Sequence, residues 1–526
     1  MTSNPETPTS DVGGILSPTY LATTIGVFSL IAFNAFEAMA VTTVMPTISD
    51  ALDGFGLYAL AFAAPLASGV VGTVAAGAWC DRRGPGGSLV ASLALFTLGV
   101  LTAGLAPSME VFVAGRIVQG LGTGALIVSL YVVVGVVYPA RLRPSIFASF
   151  AAAWVLPSLF GPAVAAFVAG AFGWRWVFLG IVGLVVLAAF LVAPVVPGLR
   201  TDRAGATAPG SRMVWAGVAA LAVLGVELLG SEASLVGTAA ALVAAVVVLT
   251  AVRPLTPRST LRAGRGLPSV IGTRGLMSAA FFCSQSYIVF VLQEKWDVSA
   301  GEAGIALTVV GVVWASASQV QARLGERLTS ERAMAIGSAM LLGAAVLMWL
   351  AVRLDLHPLV AGGSFVVAGA GMGLGFTRTG VAMLAASSDA DRGFNSSALT
   401  IADSIGAALA LAFCGIGFAV ADRAGADPFL AVFGIAVVCA MGAVVTAVRS
   451  PCSPTGPTGA AASPGPQGAY SPTHRSTAAP ARSASCCRSA HAASAAASVS
   501  RYTADGSRAP SAPAPRPAIC WAAARS

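Results

Sequence analysis

Long apolar stretches separated by short polar breaks run from about residue 20 to about residue 448, and most are near the roughly 20 residues that a helix needs to cross a bilayer. In lipid every backbone polar group must be bonded within its own span, so each stretch is read as a helix. The first six fall at about 20–43, 57–80, 88–106, 110–138, 145–170 and 175–195. Two more follow at about 213–230 and 234–252, and the last six at about 270–292, 302–323, 332–352, 357–386, 396–420 and 427–448. Several are rich in Gly and Ala, which suits close packing of helices in a membrane.

The polar breaks fix a direction. With the N-terminus in the cytoplasm, the inner loops up to Arg449 hold 17 arginines, while the outer loops hold Arg175, Lys295, Arg353 and Arg423. The inner set includes Arg82, Arg83, Arg141, Arg143, Arg200, Arg203 and Arg212, and the loop after the eighth span adds Arg253, Arg258, Arg262, Arg265 and Arg274. A miscount of one helix would reverse the sign of every later loop. The arginine-rich breaks on both sides of the 213–252 pair therefore require two crossings there. The pattern predicts an all-α polytopic membrane protein of about fourteen transmembrane helices. Residues 1–19 form a cytoplasmic segment, 20–195 a six-helix bundle, 196–269 a two-helix insert with flanking cytoplasmic loops, and 270–448 a second six-helix bundle. Residues 449–526 turn to Ala, Ser, Pro and Arg, a composition that cannot bury a core and is expected to be a disordered cytoplasmic tail. The polar N-terminus has no basic region before the first apolar stretch, so that stretch is expected to stay in the membrane.

Composition narrows the chemistry. The chain of 526 residues is 56% hydrophobic and 10% charged, against roughly a quarter charged in soluble domains. Its sole lysine is Lys295, so it has neither the Gly-Lys-[Ser/Thr] of a phosphate loop nor an obvious Schiff-base lysine. Cys80, Cys283, Cys414 and Cys439 lie in or beside apolar segments, with no Cys-x-x-Cys or Cys/His cluster. The net charge of +8 is accounted for by the loops rather than by nucleic acid. No cofactor, metal or enzymatic activity is expected.

Six motifs carry a resemblance. After the second span, Gly77-Ala-Trp-Cys-Asp81-Arg82-Arg83-Gly84 resembles the inner-loop signature of the major facilitator superfamily. In the fourth span, Arg116-Ile-Val-Gln119-Gly120-Leu-Gly122-Thr-Gly124 resembles that superfamily's Arg-x-x-Gln-Gly-x-Gly pattern. Gly161-Pro162 in the fifth span is similar to the antiporter signature, and Gly173 to Phe178 to the usual entry to the sixth. Phe36-Glu37 to Pro46 in the first span, and Arg392-Gly393 to Gly406 near the thirteenth, resemble segments of 14-helix drug:proton antiporters. Two departures stand out: Pro85 and Gly86 replace the expected basic pair, and Ala165 and Ala166 replace paired glycines. The resemblance implies the major facilitator fold and antiport.

Four charges stand out within spans, Glu37, Arg116, Arg378 and Asp403, where a mid-bilayer charge costs roughly 2.5–3.5 kcal/mol. Glu37 is about 25 Å into an outward-running helix and Arg116 about 9 Å into an inward-running one, so they reach similar depths in a core about 30 Å thick. Either they form a static tie, or Glu37 alternates between a proton, Arg116 and a cationic substrate, its affinity for the proton set by burial against the arginine. His357, His474 and His491 lie outside the spans and cannot take that role. Asp403 is a second protonatable candidate, or else an inner-end residue bonded to Ser397 or Ser404. Arg378 either snorkels or lines the pocket. Asp81, with Arg82 and Arg83, is expected to gate by holding Arg141 or Arg143 in one conformation, the alternative being a solvated cluster. Gly120, Gly122 and Gly124 permit close helix approach, with a near-repeat at Met372-Gly-Leu-Gly375, and Pro162 after Gly161 is expected to bend its helix. Phe281, Phe282, Gln285 and Tyr287 suit a large amphipathic ligand, with Gln119 and Trp154 as further cavity candidates.

These features predict proton-coupled export of amphipathic small molecules by alternating access, by a monomer in the bacterial plasma membrane whose partners are substrate, protons and the lipid bilayer. Export of a lipid or endogenous secondary metabolite, and a non-transporting receptor or scaffold, are the alternatives.

Overall fold

Each polar break ends one helix and starts another, with local chemistry to match. Gly84 takes a left-handed φ of 74° to close the second helix, and Pro85 opens the third in the same step. Proline also occupies the first turn of the helices starting at Arg143, Leu267, Pro358 and Pro428. Ser299 and Glu302 form a reciprocal capping box at the start of the tenth.

The computed structural model describes residues 14–194, 196–199, 210–230 and 235–450. Most of the expected N-terminal segment, Arg200, Arg203 and the expected tail from residue 451 lie outside the described residues. Among the described residues there are fourteen helical spans and no strand. The first six are α1 (Leu21–Ala51), α2 (Tyr58–Arg83), α3 (Pro85–Gly104), α4 (Met109–Val137), α5 (Arg143–Phe172) and α6 (Arg175–Val192). The insert is α7 (Gly210–Gly230) and α8 (Leu235–Leu255). The last six are α9 (Leu267–Trp296), α10 (Ala300–Leu324), α11 (Ser330–Arg353), α12 (Pro358–Ala386), α13 (Arg392–Arg423) and α14 (Pro428–Val448). Eleven of these are long and apolar enough to cross a membrane. Within α12, Met372–Phe376 form a π-helical turn, a local widening often found at functional positions. The α5 helix runs through Pro157 and Pro162 without interruption.

Glycine decides how closely α4 sits to its neighbours. A Cβ at Gly124 would collide with the carbonyl of Gly69 on α2, and one at Gly122 with the backbone of Phe96 on α3. The α4 helix thereby packs backbone to backbone on two sides at once. The two six-helix halves meet at the end of the molecule that carries Arg82, Arg143 and Arg392, called here the arginine-rich end. There α2 packs on α13, and α5 on α10. The insert is docked rather than loose: α7 and α8 share an apolar layer with Val70 and Val74 of α2 and Ile401 and Ile405 of α13.

Candidate functional site

Glu37 and Arg116 meet. Each side chain is almost fully covered, at 6% and 7% exposure, and Arg116 Nη1 donates to Glu37 Oε1. The same nitrogen donates to Gln119 Oε1 at 2.7 Å, and Arg116 Nε donates to the carbonyl of Ala61 on α2 at 3.3 Å. Three helices thus converge on one guanidinium. Gln119 reaches it because it lies three residues on, on the same face of α4. Removing one partner of such a pair typically costs about 3–5 kcal/mol, because the remaining charge is left buried and uncompensated. The arrangement buries an acid and a base together as one hydrogen-bonded ion pair held by three helices.

A second buried charge centre lies in the other half. Asp403 on α13 receives Arg274 Nη2 at 2.9 Å and the hydroxyl of Ser278. Sequence reasoning placed Arg274 in a loop; the structure corrects this, since α9 begins at Leu267 and Arg274 is 6% exposed. It also replaces Ser397 and Ser404 as the expected partners of Asp403. Arg274 Nη1 donates to the Phe376 carbonyl at 3.2 Å and to Thr379 Oγ1 at 3.3 Å, both on α12, and the guanidinium lies over the Phe376 ring. Arg274 Nη2 also donates to the Tyr131 hydroxyl of α4 at 3.2 Å, a bond between the two halves.

At the arginine-rich end Asp81 accepts the backbone N–H groups of Gly393 at 2.6 Å and Phe394 at 2.9 Å. A carboxylate facing the first turn of a helix is favoured by the unpaired N–H groups and by the helix dipole. The expected partners Arg141 and Arg143 are not the ones that Asp81 uses; Arg143 donates instead to the carbonyls of Tyr138 and Gly135. Gly77, one turn before Asp81, lies so close to Gly393 that its Cβ would come within 2.8 Å of that carbonyl. Arg82 is half-buried and Arg83 exposed beside it. Among the described residues, no group of three or more metal-ligating side chains is gathered.

The family model described as Major Facilitator Superfamily matches residues 27–411. The chain belongs to the Major Facilitator Superfamily. Relatives within the superfamily include a protein of Mycobacterium tuberculosis named "Probable multidrug-efflux transporter", 30% identical over 360 residues, which are 62% of this chain and 72% of that protein. A multidrug efflux pump of Staphylococcus aureus is 22% identical over 374 residues, 68% of this chain and 80% of its own length. Among solved structures, a bacterial homologue of the iron transporter ferroportin aligns with a TM-score of 0.62 at 11% identity, over 81% of this chain and 98% of that one. The human organic anion transporter TETRAN aligns with a TM-score of 0.60 at 14% identity, over 81% and 99%. The chain is thus a multi-pass membrane transporter and resembles efflux proteins in sequence.

The remaining candidates on this superfamily fold are dispersed. Phe281 is buried inside the second half, T-shaped against Phe282 and Trp314 and stacked on Phe365. Tyr287 stacks on Phe418 of α13. Gln285 keeps a buried side-chain oxygen without a hydrogen-bond partner. Trp154 is 43% exposed on α5, whereas Gln119 is committed to Arg116. Arg378 is buried and bonds the Gln321 side chain and the carbonyls of Gln321 and Gly325, at the end of α10. Gly161 packs on Met39 of α1, with Pro162 following it in α5.

Proposed function

We propose that this protein exports amphipathic small molecules in exchange for protons by alternating access, its halves rocking about a central site. The single observation that carries the coupling is the sealed Glu37–Arg116–Gln119 cluster, an acid whose bonded counter-charge is the buried arginine. The arginine bias of the loops takes the arginine-rich end as cytoplasmic. Asp81 then holds the cytoplasmic ends of α2 and α13 together, and the conformation is closed on that side. The sequence relatives named as multidrug efflux proteins support a drug-like substrate class. In the cycle, a proton reaching Glu37 from outside frees Arg116 from its carboxylate and disfavours the closed cytoplasmic gate. Substrate arriving from the cytoplasm then favours release of the proton inward.

The test uses everted membrane vesicles loaded with a pH-sensitive dye. Wild type is expected to move protons when a cationic amphipathic dye is added, and Glu37→Gln is expected to lose that exchange at equal membrane abundance. Exchange at the wild-type rate in Glu37→Gln would overturn the assignment of coupling to this cluster.

A further inference from the structure

A guanidinium is rarely left in a dry interior with one anion and an orphan nitrogen. Arg274 is in that position. Its Nε is buried with no partner, its Nη1 serves α12, and its Nη2 is shared between Asp403 and the hydroxyl of Tyr131. Asp403, Ser278, Thr379 and Phe376 all belong to the second half; Tyr131 belongs to the first, held edge-on against Phe147 and stacked on Phe150. Asp403 is the exposed member, its side chain 25% accessible against 7% for Arg274. A proton can reach the aspartate while the arginine stays sealed.

We infer that Arg274, Asp403 and Tyr131 form a second proton-sensing element, a latch across the two halves whose closure requires Asp403 to be charged. The inference rests on the exchange reading above and adds to it the residues through which the second half senses protons. With Asp403 ionised, the buried guanidinium is neutralised and can lend a hydrogen bond to Tyr131. With Asp403 protonated, the cation has no counter-charge, and a buried unpaired charge is strongly disfavoured. Parting α4 from α9 gives it water, so protonation favours opening of the arginine-rich end. Arg274 and Tyr131 are positioning residues here: neither needs to touch the substrate.

Other charges stand off from Asp403. On α13's neighbours, Asp81 of α2 and Arg212 of α7 engage Gly393 and Phe394, about 15 Å earlier along the helix. The α14 helix carries no charged residue, and Arg253 on α8 lies in its last turn. From α9 and α4 the facing groups are Arg274 and Tyr131.

The experiment measures the distance between spin labels at Ala140 and Ala390, exposed positions at the arginine-rich ends of the two halves, in the full chain in lipid nanodiscs with other cysteines replaced. Wild type is expected to pass from closed to open as pH falls from 8 to 5. Tyr131→Phe keeps the ring and loses only the hydroxyl, so the closed-to-open ratio should drop about tenfold. Its opening midpoint should rise by up to about one pH unit, since less proton binding is then needed. Asp403→Asn should be open-shifted with a pH response smaller than wild type, the remainder coming from Glu37, and Glu37→Gln should still open as pH falls. A wild-type midpoint in Tyr131→Phe, a wild-type pH response in Asp403→Asn, or a flat response in Glu37→Gln would each overturn the latch. Failure of proton exchange in wild-type vesicles with gate distances still pH-dependent would instead count against the exchange reading alone.

Discussion

The contact between Asp81 and α13 allows a perturbation with a direct readout. Each carboxylate oxygen takes one N–H, from Gly393 and from Phe394. Asp81→Asn puts an amide NH2 opposite one of those N–H groups, so one bond is lost outright and the other becomes a neutral one. Hydrogen bonds to a charged group contribute about 1.5–3 kcal/mol net, so the loss is at least about 2 kcal/mol. The bonded partners lie in different halves, so the loss falls on the closed state alone. At 1.4 kcal/mol per factor of ten, the closed-to-open ratio should fall about thirtyfold. Because the Gly393 and Phe394 amides are themselves the donors, hydrogen–deuterium exchange reports on them without a label. The Gly393 and Phe394 amides should exchange about thirtyfold faster in Asp81→Asn, with α11 unchanged as internal control. Unaltered protection of these two amides would refute the reasoning.

Four further outcomes follow from the packing and capping. Gly124→Leu should abolish accumulation of folded protein, read as loss of the monodisperse peak in detergent, because its Cβ would run into the Gly69 carbonyl and overpacking costs typically about 1–3 kcal/mol or more. Arg378→Met should lower the apparent Tm, at a cost of about 2–3 kcal/mol, by leaving the carbonyls of Gln321 and Gly325 without their charged donor. Lys295→Met should move Tm little, since its 3.1 Å pair with Asp427 is partly exposed and worth under about 1 kcal/mol. Asp427→Ala should cost about 1 kcal/mol more, because that carboxylate also accepts from Phe429 N–H at the start of α14.

Spans and their order were legible because lipid imposes length and leaves little choice of secondary structure. The approach of Glu37 to Arg116 was legible for the same reason: two antiparallel helices of known direction convert sequence position into depth. That arithmetic also holds for Arg274 and Asp403, about 11 Å and 16 Å from the starts of α9 and α13 at 1.5 Å per residue. It was hidden by neighbouring arginines: Arg253 to Arg265 make Arg274 look like one more loop residue, although Val270, Ile271, Leu276 and Met277 surround it. Asp81 was misread in another way. Arg141 and Arg143 are the opposite charges that the side-chain pattern offers, but the partners of Asp81 are backbone N–H groups, which no such pattern announces. The π-turn at Met372–Phe376 was likewise silent, its glycines reading only as packing residues.

The hairpin of α7 and α8 bears on how the halves can part. It adheres to Val70 and Val74 on one side of the dividing line and to Ile401 and Ile405 on the other. Whenever that line widens, the hairpin must slip over one wall or let go of it. Slipping is cheap, because an aliphatic face exchanged for acyl chains loses little free energy in a bilayer. A directional tether lies near its foot, where the Arg212 guanidinium rests over the Phe394 ring at 4.2 Å. The hairpin thus spans the dividing line through an aliphatic layer that shears easily and a directional contact at its foot.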